Sequence, residues 1–234
     1  KAPRRRMYKT MQGRMVDIEK LRGAPNSDWD DAITAASGTV SSSQSNGFAA
    51  RAGVIGGRGG NLYYVNRAFA YFVTNTIETT ITAATVKVQG TGTPSGGTVG
   101  IYASSAFGNN GSTLAGSDFD NVQSSLLSSN TYSSVTWNTS GLNSFVLNAT
   151  AITALNNNGY LNIAFRMSNE VDEEEPEETD NYIGINFGSG SQSYRIQVEC
   201  THADAGYSNS VIGVSSIGSV EGVSSANIST VIGV

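Results

Sequence analysis

The chain has little of several things, and each shortage narrows what it can be. Its 234 residues contain one cysteine, Cys200, and one histidine, His202. A single thiol excludes an intramolecular disulfide, and so few soft ligands exclude the His/Cys sets that hold zinc. Charged residues make up 14% and hydrophobic residues 38%, against averages of about 25% and 45–50% in globular domains. No run approaches the ~18 apolar residues of a membrane-spanning helix, so no membrane insertion is expected. No apolar stretch follows the basic start at Lys1, so no signal peptide is expected in this sequence.

What fills the gap is glycine, 27 residues of it, with serine, threonine and asparagine. Glycine and asparagine accept positive φ in turns, and threonine suits exposed strand faces. The mixture favours many short strands and disfavours helices. Runs of Val, Ile, Tyr and Phe at strand spacing separate it from a disordered composition.

Charge is unevenly placed. Residues 1–23 carry eight of the 14 Lys/Arg and two acids, a balance of +6. The other 211 residues carry six bases and 17 acids, a balance of −11. A basic arm therefore precedes an acidic body. Such an arm can bind nucleic acid, an anionic surface or an acidic protein groove. Arg4, Arg5, Arg6, Tyr8, Lys9 and Arg14 are its candidate partner-binding residues. Met15 to Leu21 has the pattern of two helical turns, too short to be stable alone, and the arm is expected to order against a partner.

Residues 24–47 read as a flexible polar linker, with Ser27 or Asp28 able to cap a short turn and a serine-rich end at Ser41–Ser45. From Phe48 the pattern is that of strands. Leu62–Phe72 and Ile81–Gln89 alternate, followed by a turn cluster over Gly90–Gly97. Further strands are expected around Val99 and Ile101, then at Ser133–Trp137, Asn143–Leu147, Tyr160–Met167, Tyr182–Phe187 and Tyr194–Cys200. Ala149–Asn157 is the best helical turn in the body, stopped by Asn158-Gly159. About eight strands at short spacing with one late helical turn predict an all-β fold, an antiparallel jelly-roll β-sandwich over 48–203. It is flanked by the extended arm and linker (1–47) and by a short repetitive β tail (204–234).

In the tail, Asn209–Val214, Ile217–Val223 and Ile228–Val234 share Val-x-Gly-Val, and the last two fit Ile-x-x-Val-x-Gly-Val. Repeats this short cannot bury their own apolar face, so they stack on one another or on neighbouring chains. Val211, Val214, Ile217, Val220, Val223, Ile228, Val231 and Val234 are the candidate oligomerisation positions. A homo-oligomer is expected, a homotrimer being the natural form for interwoven tails.

Three stretches carry a resemblance. Arg67-Ala-Phe-Ala-Tyr-Phe-Val-Thr-Asn75, with Ile77 and Ile81–Val88, resembles phage-borne and secreted jelly-roll domains in which "R-x-F-x-x-F-D-T" precedes "I-x-x-A-x-L-x-L". Phe145–Ala149, Gly159–Arg166 and the last strand continue it, so that it covers roughly residues 60–200; Val73 stands where the family usually has Asp. The tail resembles the "N-I-x-K-V-N-G-V" repeats near the ends of many phage virion proteins. Tyr8–Leu21 is similar to the start of virion proteins of marine tailed phages. Together they imply a tailed-phage virion structural protein, a capsid decoration or head/tail fibre protein at the particle surface. Its partner would be the major capsid protein or another virion protein.

Enzyme chemistry is thin. His202 and Cys200 alternate on one strand about 7 Å apart, beyond hydrogen-bond reach. There is no nucleophile elbow and no phosphate loop, and Gly56-Gly57-Arg58-Gly59-Gly60 reads as a turn. No enzyme is expected, although a hydrolase on this scaffold would need two carboxylates facing across a groove. Asp172–Asp180 packs seven acids into nine residues. It reads as a solvated loop, a calcium site through Asp172 and Asp180, or a contact for a basic neighbour such as another copy's arm. Asp118 and Asp120 form a second candidate calcium loop or a plain turn. No cofactor is required beyond such a calcium ion. A carbohydrate-binding adhesin or receptor-binding module is the alternative function, with Tyr63, Tyr64, Tyr132, Trp137 and Tyr182 as aromatics for a surface glycan, or else as core and strand-face residues.

Overall fold

A computed structural model describes residues 18–23, 28–41, 48–57, 60–73, 80–108, 114–176, 181–186, 196–203, 219–220 and 223–224. They form an all-β fold of antiparallel strands with few, short helices. Strand β1 (Ile18–Gly23) is followed by α1 (Trp29–Ile33) and β2 (Gly38–Ser41). Then come β3 (Phe48–Gly57), β4 (Gly60–Val73), β5 (Ile81–Ser95) and β6 (Thr98–Ser104). A 3₁₀ turn (Gly116–Asp120) leads to β7 (Val122–Leu126), β8 (Tyr132–Ser133) and β9 (Leu142–Val146). Helix α2 (Ala149–Asn158), β10 (Tyr160–Met167), α3 (Ser168–Val171), β11 (Asn181–Asn186) and β12 (Gln197–His202) follow, and β13 (Ser219–Val220) and β14 (Val223–Ser224) lie in the tail.

The long strands β4 and β5 organise the sheet because each divides its edges among several partners. β4 pairs with β3 through residues 60–66, with β1 through 66–70 and with β10 through 68–73. β5 pairs with β12 and β11 in succession and with β9 through 85–89. β10 continues to β6, and β11 joins β3. Leu127 donates its amide to Ile101, and Ser128 forms a bridge with Leu147 at the end of β9. The backbone ladder therefore runs from β6 through β10, β4, β3, β11 and β5 to β9, and the 127–128 segment links its two ends.

Inside this circuit lies the core. Leu161, Ile163 and Phe165 of β10 pair with Phe72, Ala70 and Ala68 of β4 and share their face. Phe145 of β9 meets Phe165 edge to face at 5.7 Å. Helix α2 closes one side with buried Ala151 and Leu155. It forms where the sequence predicts because Asn148 caps it, accepting from the Ala151 amide at 3.1 Å, and Gly159 ends it at φ 69°.

Four local expectations change. Residues 18–21 belong to a strand, not to helical turns. Lys20–Gly23 pair with β2 and Ile18–Arg22 with β4, so their amides and carbonyls find ladder partners that a lone two-turn helix lacks. The stretch read as linker is in part packed structure. Asp28 caps α1 with bonds of 2.9 and 3.2 Å, and Trp29, Ala32 and Ile33 are buried in the core. The polar composition of residues 24–47 masked three apolar residues at helical spacing. Of Ser133–Trp137 only Ser133 stays in a strand. The hydroxyl of Thr136 accepts from the Ser133 amide at 2.9 Å, and such side-chain bonds favour a turn. Finally, β5 runs through the predicted turn cluster to Ser95, and the chain turns at Gly96 and Gly97, both at φ 65°. Gly90 sits inside β5 because a Cβ there would collide with the Asn138 carbonyl and lie 2.8 Å from Trp137 Nε1.

Candidate functional site

From Tyr63 to Phe72 the strand β4 is buried on both faces, and its outer face carries a charge. Arg67 is 1% exposed and Glu170 of α3 is 2% exposed. Arg67 Nε donates to Glu170 Oε1 at 2.7 Å. Its two terminal nitrogens donate to the carbonyls of Phe119 and Ile33, the latter at 2.7 Å. Its guanidinium also lies 4.0 Å from the centroid of the Phe119 ring. One side chain thus holds α1, the 3₁₀ turn and α3 onto β4.

Arg166 completes the group. Phe165 pairs with Ala68, which brings Arg166 of β10 next to Arg67. Arg166 Nε donates to the same Glu170 oxygen at 2.8 Å, and Nη1 donates to the Gln123 carbonyl of β7 at 3.0 Å. Burial pulls the Arg67 pKa down from its ordinary value, Glu170 opposes that shift, and Arg166 adds to it. An arginine stays charged in such surroundings. Two cations therefore share one buried carboxylate, and Asp120 contributes further counter-charge to Arg67. The arrangement fixes elements in place, with every bond to Glu170 made through Oε1. Sequence reasoning missed these residues. The available signal was a charge inside an otherwise apolar strand, which demands a buried partner.

Asp118 is buried, and its two oxygens accept from the Ala115 amide at 2.9 Å and the Asn121 side chain at 2.8 Å. Its carboxylate closes its own turn. Asp120 and Asp172 are exposed, and Asp180 lies outside the described residues. Among the described residues no three His, Cys, Asp or Glu side chains gather as a metal-holding group. At the base of the acidic stretch, the hydroxyl of Tyr63 donates to Glu175, and that bond raises the tyrosine pKa.

Of the five aromatics considered for a glycan surface, three turn inward. Tyr63, Tyr64 and Trp137 are buried. Trp29 packs edge-on to Tyr63 at 5.9 Å. Tyr132 stands edge-on to Trp137 at 5.7 Å and to Phe145 at 4.9 Å. The side chain of Tyr182 lies outside the described residues.

Cys200 is buried and its thiol is pushed up to about 11 by burial, so it is protonated and inert at neutral pH. His202 pairs with Ile81 beyond a register shift after Thr201, and its Nδ1 lies 3.2 Å from the Ala203 carbonyl.

No protein-family model matches the chain, and no curated protein matches it in sequence. The arm residues Arg4, Arg5, Arg6, Tyr8, Lys9 and Arg14 lie outside the described residues, as do Val211, Val214, Ile217, Ile228, Val231 and Val234 of the tail. Val220 and Val223 are paired with each other in the β13–β14 ladder. No helix among the described residues is long and apolar enough to cross a membrane.

Proposed function

We propose that the protein is a non-enzymatic structural component of a tailed-phage particle, a capsid decoration or fibre protein. In this reading a jelly-roll domain is displayed from a particle-bound N-terminal arm. The observation that carries it is the position of β1. The chain between the basic stretch and the body is a strand inserted between β2 and the central strand β4. A load on residues 1–17 would be taken up by that ladder as shear across several hydrogen bonds at once, which suits an anchor. The circuit of antiparallel pairings, with two long strands each shared by several neighbours, is consistent with a jelly-roll sandwich. The repeats after residue 203 would tie copies together as a homo-oligomer, a trimer in the simplest case.

The glycan-binding alternative gains nothing from Tyr63, Tyr64 and Trp137, which are all buried. Two measurements test the structural reading. Antibody raised against the purified body should label the surface of phage particles whose genome encodes this chain; unlabelled, intact particles would overturn it. Light scattering should give an oligomeric mass for the full chain and a monomeric mass for a form ending at Asp204. Equal monomeric masses would remove the tail from the assembly.

A further inference from the structure

Strand β9 is bonded to β5 along one edge, and its other edge is satisfied in an unusual way. Val146 N donates to Asn130 Oδ1 at 2.8 Å, and Asn130 Nδ2 donates to the Ser144 carbonyl at 3.1 Å. Ser144 N donates to the Tyr132 hydroxyl at 2.8 Å, and that hydroxyl donates to the Ser144 carbonyl at 3.0 Å. Two side chains make the bonds that the backbone of a neighbouring strand would make. Only at the end of β9 does backbone take over, where Ser129 N donates to the Val146 carbonyl at 2.7 Å.

The reason is local geometry. By Tyr132 the chain has left β9 and pairs with β6, Tyr132 opposite Val99 and Ser133 opposite Thr98. No strand among the described residues then lies against residues 142–146 on that side. The Tyr132 ring is fixed edge-on to Trp137 and Phe145, which aims its hydroxyl at Ser144. The strand it covers is a good template for pairing. Its exposed face carries Leu142 and Val146, 44% and 49% exposed, and open, apolar edges recruit further strands.

We propose that Asn130 and Tyr132 are edge guards: by occupying the outward amides and carbonyls of β9 they prevent the β9 strands of two copies from pairing with each other. Antiparallel pairing of one strand with its own copy is self-complementary about a two-fold axis, so the unguarded edge needs no other partner. The inference does not rest on the virion reading; it follows from the hydrogen bonds alone.

The test uses the full chain with Asn130→Ala and Tyr132→Phe together. Light scattering over a wide dilution series should show a concentration-dependent doubling of mass relative to the unaltered protein. Adding Val146→Pro removes an outward amide while leaving the ladder to β5 intact, and should restore the original mass. A folded double variant that keeps the original mass throughout overturns the proposal, as does a doubling that survives Val146→Pro. If the double variant does not fold, Tyr132→Phe alone decides, because it keeps the ring packing and loses only the hydroxyl. Its Ser144 amide should exchange with solvent faster than in the unaltered protein, and unchanged protection overturns the proposal.

Discussion

Arg67 Nε and Glu170 Oε1 lie 2.7 Å apart beneath the outer face of β4, where both residues are almost wholly out of solvent. A central strand thereby gains a bonded tie to each of the three short elements that cover it. A buried ion pair of this kind adds little net stability over a well-packed apolar pair, because desolvation offsets attraction, but losing one partner strands the other.

Arg67→Met should therefore be strongly destabilising, by about 3–5 kcal/mol. It leaves Glu170 with one cation and leaves the carbonyls of Ile33 and Phe119 without their donor. Glu170→Gln should be destabilising for the converse reason, since two guanidinium groups then lose their shared anion. Urea midpoints for the two variants check this, and values within experimental error of the unaltered protein would mean that the cluster is not holding the elements together.

These residues also show where the sequence stops being legible. Strands β10 and β9 and helix α2 follow from runs of strand-forming residues and from the Asn158-Gly159 stop, because those signals are local; the Asn148 cap emerges only in the structure. The partners of Arg67 are 34, 52 and 103 residues away along the chain, and no periodicity reports a contact of that range. Composition also misled. Trp29 and Ile33 sit in a polar stretch, and only their burial against β4 reveals them as core. The candidate metal carboxylate Asp118 was visible as an acid, but its hydrogen bonds within its own turn were not.

Trp29→Ala tests whether residues 28–41 belong to the packed body. Trp29 is buried against Tyr63, and truncating a buried tryptophan costs about 3–5 kcal/mol. Thermal unfolding should show one cooperative transition at a lower temperature. An unshifted transition would mean that α1 docks without contributing stability.

Gly90→Ala tests the close approach of the 138–143 segment to β5. A methyl group there meets the Asn138 carbonyl and, within 2.8 Å, the Trp137 indole nitrogen. Overpacking of this kind costs typically about 1–3 kcal/mol. Denaturant unfolding should reveal the loss, together with a change in indole fluorescence as Trp137 is displaced.

Cys200 sets an alkaline limit whose sign follows from its burial. The thiol is pushed up to about 11 in the folded protein, whereas an unfolded cysteine ionises near pH 8.5. The folded state therefore holds its proton where the unfolded state has released one. The stabilising contribution is complete below about pH 8.5 and is lost progressively as pH rises towards about 11. Cys200→Ala should remove this part of the alkaline decline, leaving a shallower dependence of the unfolding midpoint on pH over that range. The same burial predicts that a thiol reagent at neutral pH labels the native protein only as fast as the protein opens. Rapid labelling under native conditions would place the thiol at the surface and remove the basis for the pH dependence.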